Sequence, residues 1–229
     1  MSDFIFGAYP YLAGTIFAVG CWIRFDREQY TWKADSSQLL DNTNMRLYSN
    51  LFHIGVIGIF LGHFVGLLTP HSWFLAFGIS DVAHQNIAIY AGTVFGIAAL
   101  VGAGLLAKRR MTVERVKAVS RGRDVFVILW IAATAFLGLM TIPASMYHAS
   151  HADAQTMIAL SEYIKSVATM SVDPTLLKDV SFVYKLHMFF GMTLVLVFPF
   201  TRMVHVWSVP FGYLGRAYQI VRTKGAVCR

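Results

Sequence analysis

The chain has 229 residues, of which 56% are hydrophobic and only 14% charged, and its mean hydropathy is +0.57. This balance exceeds what a soluble domain of the same size tolerates, so it predicts an integral membrane protein. The formal net charge of +7 is concentrated in a few connections between apolar stretches. That distribution is typical of a membrane topology signal and does not indicate a nucleic-acid-binding surface.

Charge-free intervals locate the membrane spans, because a helix needs about 20 apolar residues to cross the hydrocarbon core. Five such intervals predict an all-α protein, a bundle of five transmembrane helices forming one membrane domain over residues 1–229. We interpret the first as a retained span, because no Lys or Arg precedes it and no small-residue cleavage site follows a short apolar core. The predicted spans cover residues 4–23, 47–70, 82–107, 125–147 and 186–207, with a tail over 208–229.

Lysine and arginine fall mainly on one side of these spans. The first connection holds four, the third holds seven, and Arg202 with the tail adds five, whereas the second holds none and the fourth three. Sixteen of the nineteen basic residues therefore share one side, and positively charged loops stay cytoplasmic. The pattern predicts an outer N-terminus and a cytoplasmic C-terminus.

The fourth connection, over residues 148–185, contains a further helical pattern. Met157, Leu160, Ile164 and Val167 recur at helical spacing, which predicts an amphipathic helix lying in the membrane plane. Two interpretations are open. The helix is either a surface element that covers the bundle or a lid over a pocket on the lipid side.

Four histidines lie inside the spans, where an ionisable side chain indicates a functional site. His53 and His63 are on the second span, and His187 and His205 are on the fifth. Because these spans run in opposite directions, His63 matches His187 near the outer side and His53 matches His205 near the inner side. Two pairs at matched depths predict axial ligation of two haems, held non-covalently since the chain has no C-x-x-C-H run. The alternative for any one histidine is a polar contact with a neighbouring helix.

The distances between the histidines along the two helix axes fit this pairing poorly. The two histidines of the second span are separated by about 15 Å along the axis, and those of the fifth by about 27 Å if that helix is unbroken. A kink at Pro199 could absorb part of the difference, because proline interrupts the hydrogen-bond ladder. His84 and His148 are substitute ligands near the outer end.

Other residues are candidates for the surroundings of a cofactor. Gly58, Gly62 and Gly66 recur every four residues, a spacing that allows close helix packing, and Gly62 could alternatively border a haem groove. Gly191 lies one turn from His187 and could make room beside a porphyrin. Arg202 lies where a haem propionate is expected, or it extends to the interface with its charge in water.

Three stretches of the chain resemble one known family. They are SNLFHIGVIGIFLGHFVGLLTPH around His53 and His63, QYTWKADSSQLLD in the first connection, and KLHMFFGMTLVLVFPFTRMVHVWSVP around His187 and His205. Together with YLGRAYQIVR in the tail, they resemble the gamma subunit of membrane-bound respiratory nitrate reductase over roughly residues 8–224.

The resemblance implies a dihaem cytochrome b in the cell inner membrane. It implies His63 and His187 as ligands of the outer haem iron, and His53 and His205 as ligands of the inner one. Such a subunit oxidises quinol near the outer face and passes electrons inward. The implied partners are a cytoplasmic iron–sulfur subunit and a molybdenum catalytic subunit, with the membrane lipid and its quinone pool around the chain and no nucleic acid.

One position departs from the family pattern. Many members have a lysine at the outer start of the third helix that helps bind quinol, and the matching residue is Ala83. Its neighbours His84 and Gln85 could each donate a hydrogen bond to a quinone oxygen, and His84 is our candidate proton acceptor. Two alternative functions stay open: a cytochrome b subunit of a sulfite- or heterodisulfide-reduction complex, and a haem-free membrane anchor or transporter.

Overall fold

The computed structural model describes residues 3–151 and 153–208, and the predicted tail beyond Ser208 lies outside these ranges. The described residues are mostly helical and contain no strand. Five of their helical segments are long and apolar enough to cross a membrane, which confirms the predicted number of spans. These segments are Phe4–Arg27, Met45–Leu68, Asp81–Thr112, Gly122–Ser150 and Phe182–Phe200.

Some spans are assembled from more than one helix. A π-helical turn, Phe4–Ala8, precedes α1, and Thr141 interrupts the fourth span just before Pro143. The helices are α1 Tyr9–Arg27, α2 Met45–Leu68, α3 His71–Ala76, α4 Asp81–Thr112, α5 Glu114–Val119, α6 Gly122–Met140, α7 Ile142–Ser150, α8 Gln155–Ala168 and α9 Phe182–Val197. Short 3₁₀ helices cover Gln29–Thr31, Pro174–Leu177, Phe198–Phe200 and Arg202–Ser208.

Neighbouring spans pack in a chain that runs α2, α4, α6, α9 and α1. The most extensive of these contacts joins α2 to α4. Three of the four histidines lie on α2 and α9, and His205 lies on the 3₁₀ segment that follows α9. The helices α2 and α9 are linked through the other helices and not by a long shared packing face. The bundle therefore leaves space between the two histidine-bearing helices.

Glycine allows the close approach of α2 and α4. A Cβ atom on Gly55 would collide with the backbone of Ala99, and one on Gly102 would collide with the backbone of Phe52. Of the predicted stripe, only Gly58 is tightly packed, because a Cβ there would collide with the Phe95 side chain of α4. A Cβ on Gly62 would have no neighbour within 4 Å, and one on Gly66 would make ordinary contact with His84. The helices thus approach along Gly55 and Gly58, one turn nearer the start of α2 than the stripe indicated.

Two buried arginines at the end of α4 hold the first and third connections together. Arg109 donates to the Ser37 hydroxyl at 2.5 Å and to the carbonyl oxygen of Asp41. Arg110 donates to the Ser120 hydroxyl at 3.1 Å. Both guanidinium groups are under a tenth exposed, so these partners offset the cost of removing charge from water. The two basic connections consequently lie at the same end of the bundle.

The predicted amphipathic helix is present as α8, and most of its apolar residues pack inward. Leu160, Ile164 and Val167 lie against a buried cluster that includes Phe6 and Tyr163. The Ser161 hydroxyl also donates to the carbonyl oxygen of Leu67 at the end of α2, at 3.0 Å. These contacts favour the interpretation of α8 as a cover on this end of the bundle.

Replacing Tyr163 with phenylalanine is expected to destabilise this cover by about 1–3 kcal/mol. Tyr163 is 1% exposed and its phenol donates to the carbonyl oxygen of Phe6 at 2.8 Å, so the substitution removes a buried hydrogen bond between α8 and the first span. The melting temperature of the purified protein should fall, while Tyr147→Phe, at an exposed position, should leave it unchanged. Equal melting temperatures for both variants would contradict this.

Alkaline pH should lower the stability of the protein, as the Tyr163→Phe substitution does. Burial raises the pKa of the Tyr163 phenol to about 12, above the ordinary value of 10.0. The folded protein therefore keeps this proton after the unfolded chain has lost it. The stabilisation is complete below pH 10.0 and is lost as the pH rises towards 12, which a melting series in the wild type and Tyr163→Phe would detect.

Candidate haem-binding site

The structure brings the four histidines of the spans together in the two predicted pairs. The ring centroids of His63 and His187 are 6.0 Å apart. Those of His53 and His205 are 6.3 Å apart. Each pair has one member from α2 and one from the fifth span, so the two pairs lie at different depths in the space between these helices.

The spacing within each pair fits one iron with two axial imidazoles. Metal–imidazole bonds are about 2 Å long, and a five-membered ring with bonds of about 1.3–1.4 Å has its centre about 1.2 Å from its atoms. Two imidazoles on opposite sides of one iron therefore have centroids about 6.4 Å apart. Stacked rings lie closer, as those of Phe74 and His84 do at 4.0 Å.

The hydrogen bonds of the four rings also fit ligation. Each Nδ1 lies within hydrogen-bond distance of a backbone carbonyl oxygen, which only accepts, so each Nδ1 carries the proton. Each Nε2 then keeps its lone pair for a metal, and the carbonyl holds the ring in orientation. The carbonyl partners are Ser49 for His53 at 2.7 Å, Ile59 for His63 at 2.8 Å, Thr134 for His187 at 3.0 Å and Arg202 for His205 at 2.5 Å.

A break in the fifth span resolves the mismatch in helical rise. Regular α-helix ends at Val197, ten residues before the predicted end near 207, and Thr201 is extended with φ −117° and ψ 178°. Pro199 lies inside the break, where a missing N–H and a fixed φ prevent the helix from continuing. Because His205 sits on the 3₁₀ segment after the break, the rise expected for an unbroken helix does not apply to it.

The neighbourhood of the outer pair includes residues that sequence reasoning missed. Thr134 on α6 supplies the carbonyl for His187, and the ring lies against Gly138, where a Cβ would stand 3.0 Å from the imidazole Cε1. No local pattern indicates this contact, because it joins residues 53 positions apart. A Cβ on Gly62 or Gly191 would meet open space, and both remain candidates for cofactor surroundings.

Arg202 has a partner within the protein. Its guanidinium donates to the carbonyl oxygen of Ala34 in the first connection, and its own carbonyl accepts from His205. A contact between Arg202 and a haem propionate stays a prediction. The observed bonds assign it a role in joining the inner connection to the segment that carries His205.

A small pocket lies beside His84 at the opposite end of the bundle. It is lined by α2, α3, α4 and α8, with Gly66, Phe74, Met157 and Lys165 among its walls, and its volume of about 10 Å³ admits about one water molecule. Lys165 was not identified from the sequence. The pocket makes α8 a wall of a cavity as well as a cover.

The other candidate residues near this end of the bundle, Gln85 and His148, have hydrogen-bond partners away from the pocket and the histidine pairs. Gln85 is buried and donates to the carbonyl oxygen of Ser145 at 3.1 Å, so it does not face this pocket. The Nδ1 of His148 lies 2.9 Å from the Asp153 carboxylate, and the ring that meets His63 is that of His187. His148 is therefore engaged outside both histidine pairs.

Comparison with known proteins identifies the family of the chain. Residues 2–224 match the family model described as nitrate reductase gamma subunit. The chain is 46% identical to the respiratory nitrate reductase 1 gamma chain of Escherichia coli strain K12 over 225 residues, which cover 98% of each protein. It is 30% identical to the nitrate reductase gamma chain of Bacillus subtilis strain 168, with 97% and 99% covered. The chain therefore belongs to the nitrate reductase gamma subunit family.

Proposed function

We propose that this membrane protein is the dihaem cytochrome b subunit of a respiratory quinol:nitrate oxidoreductase. His63 and His187 would ligate an outer haem iron, and His53 and His205 an inner one. One observation carries the proposal. The Nδ1 of each imidazole is hydrogen-bonded to a backbone carbonyl oxygen, which leaves Nε2 free for a metal, and the two rings of each pair are spaced for one iron. When bound, the haems supply one-electron carriers whose axial positions are both filled.

The direction of transfer follows from the proposed topology. The basic connections lie at one end of the bundle, where Arg109 joins them, and positively charged connections stay cytoplasmic. The N-terminus and the His63–His187 pair would then be outside and the His53–His205 pair inside. Moving an electron inward against an inside-negative potential costs about 2.3 kcal/mol per 100 mV. The quinol must therefore be a sufficiently strong reductant to supply this energy.

The pocket beside His84 is the proposed outer quinol site. Ala83 replaces the lysine that many family members carry, but Lys165 of α8 lines the same pocket, with its ammonium group donating to the Glu162 carboxylate at 3.0 Å. The His84 ring stacks on Phe74, which fixes its plane. A neutral imidazole has one ring nitrogen that can accept a proton, so His84 is suited to accept a quinol proton and release it outside. The small cavity requires α8 to shift when a quinol enters.

Quinol-driven reduction of the purified protein tests the proposed function. Reduced-minus-oxidised absorption spectra should show two haems b per chain, and a quinol analogue should reduce them. A colourless protein would overturn the proposal and favour a haem-free anchor or transporter. Coloured protein that no quinol reduces would overturn the proposed electron donor.

Replacing His84 with leucine should slow quinol oxidation about a hundredfold or more, which is the usual contribution of a general base. The haem spectrum should not change, because His84 belongs to neither histidine pair. Stopped-flow reduction by the same quinol analogue measures the effect. The control is His151→Leu, which alters an exposed histidine away from the pocket. Unaltered reduction in His84→Leu would remove this residue from the mechanism.

The remaining subunits of the complex are proposed from the family. A cytoplasmic iron–sulfur subunit and a molybdenum catalytic subunit would receive the electrons, with the assembly in the cell inner membrane. The matches to nitrate reductase gamma chains favour nitrate over sulfite or a heterodisulfide as the final acceptor. The basic inner connections offer the docking surface.

A further inference from the structure

Arg24 makes an unusually complete set of hydrogen bonds at the inner end of α1. Its Nη1 donates to the carbonyl oxygens of Pro199 and Thr201, both at 2.7 Å. Its Nη2 donates to the carbonyl oxygen of Thr31 at 2.7 Å, and its Nε to the Thr31 hydroxyl at 3.2 Å. All of these acceptors are neutral. Arg24 therefore joins three parts of the chain: α1, the first connection and the broken end of the fifth span.

The break in the fifth span needs such a donor. Pro199 and Thr201 are both buried, and where regular helix stops, carbonyl groups lose their intrahelical donors. A buried carbonyl without a donor is costly. Hydrogen bonds from a charged group are among the stronger ones in proteins, and a planar guanidinium can serve several carbonyls at once. Arg24 thus donates to carbonyl groups at the break near Pro199 and stabilises the backbone conformation there.

The segment held in this way carries His205. Thr201, bonded to Arg24, immediately precedes Arg202, whose carbonyl accepts from the His205 Nδ1 at 2.5 Å. The far end of the segment is also anchored, since the Trp32 indole donates to the Ser208 hydroxyl at 3.0 Å. The direction of the His205 ring therefore depends on a short stretch of backbone fixed at both ends by the first connection and α1.

We propose that Arg24 is the positioning residue for the inner histidine pair. Its guanidinium fixes the bend after α9 so that His205 faces His53 at the spacing of one iron. This inference rests on the proposed function, because it assigns that pair to the inner haem. Arg24 contacts neither imidazole and acts only through the backbone of residues 199–202.

Arg27 provides a matched control on the same helix. It lies three residues further along α1, carries the same charge and is highly exposed, with Asp26 at 3.4 Å as its ion-pair partner. It donates to no backbone carbonyl in the described part of the chain. Removing its charge changes the inner surface potential as Arg24→Gln does, but it leaves the bend untouched.

The test counts haems in the membrane-embedded complex of Arg24→Gln, Arg24→Lys and Arg27→Gln. Arg24→Gln should lower the content from two haems per chain to one, with the low-spin electron paramagnetic resonance signal of the inner haem lost and that of the outer haem kept. Arg24→Lys should retain an intermediate share, since an ammonium group cannot bond three carbonyls in the same fork. Arg27→Gln should keep both haems and both signals.

Several outcomes would overturn the proposal. Arg24→Gln with both haems and an unchanged inner signal would show that the bend does not need this donor. Loss of both haems together in Arg24→Gln and Arg24→Lys would assign Arg24 to general folding. Hydrogen–deuterium exchange adds a readout that is independent of haem. Residues 198–208 should exchange faster in Arg24→Lys, with residues 182–190 unchanged, and equal exchange in both segments would also contradict the inference.

A failure of the proposed function would look different. If the wild type binds no haem, or if His205→Ala keeps the inner signal, the assignment of the pair is wrong. The exchange result at residues 198–208 would then still decide whether Arg24 holds the bend.

Discussion

Alanine at His53 or His205 is expected to remove the inner haem alone, and alanine at His63 or His187 the outer haem alone. Each substitution would delete one of the two proposed axial ligands, and the remaining imidazole would not hold a low-spin iron by itself. The haem content of each single variant should fall from two per chain to one. Redox titration with absorption and electron paramagnetic resonance spectra would identify which haem is missing.

The pairing of the variants is the most specific part of this prediction. Variants of His53 and His205 must lose the same signal, because their rings face each other at 6.3 Å. Matching losses for His53 and His187 would instead show that the pairs are wrongly assigned. The control is His148→Ala, whose imidazole pairs with Asp153 at 2.9 Å and belongs to neither pair. It should keep both haems.

Replacing Gly102 with alanine is expected to disrupt the contact between α2 and α4. The added Cβ would collide with the backbone of Phe52, the residue before His53. Backbone cannot rotate away as a side chain does, so the two helices must separate, and overpacking of this kind costs typically 1–3 kcal/mol or more. We expect a lower melting temperature and a weakened inner haem, measured by thermal unfolding and by haem content.

Gly104 supplies the control two residues further along α4. It is exposed, and a Cβ there would meet nothing within 4 Å. Alanine is the better helix former by about 1 kcal/mol at either position, so Gly104→Ala should be neutral or stabilising. A neutral Gly102→Ala would mean that the helices pack less closely than described.

Membrane spans could be predicted well because their signal is local. Hydrocarbon thickness sets a length of about 20 apolar residues, and uninterrupted runs of that length can be read without knowledge of any contact. The same holds for α8, whose apolar residues recur at helical spacing. The histidine pairs were also predicted from local information. Because the second and fifth spans run in opposite directions, a histidine late in one span lies at about the same depth as a histidine early in the other. Each of these predictions needed only the order of residues and the geometry of a helix.

Contacts between distant segments could not be predicted in this way. The sequence contains Pro199, but it does not indicate that Arg24 holds the bend, because these residues are 175 positions apart. Gln85 and His84 are adjacent in the sequence, yet one is bonded to Ser145 and the other faces the pocket. Adjacent helical residues point in different directions, and which direction meets the pocket depends on how the helix is rotated in the bundle.

The sequence by itself determined a five-span helical membrane protein and predicted which histidines pair, because hydrophobic length and the opposite directions of the two spans can be read from single segments. The break after α9 that lets both pairs form was decided by the tertiary structure. Only the tertiary structure decided how each imidazole is oriented, since the carbonyl that holds His187 comes from α6 and the bend that carries His205 is fixed from α1. Such bonds depend on which helices become neighbours. That choice is made by packing, as at Gly55 and Gly102, where the backbones of α2 and α4 come into contact.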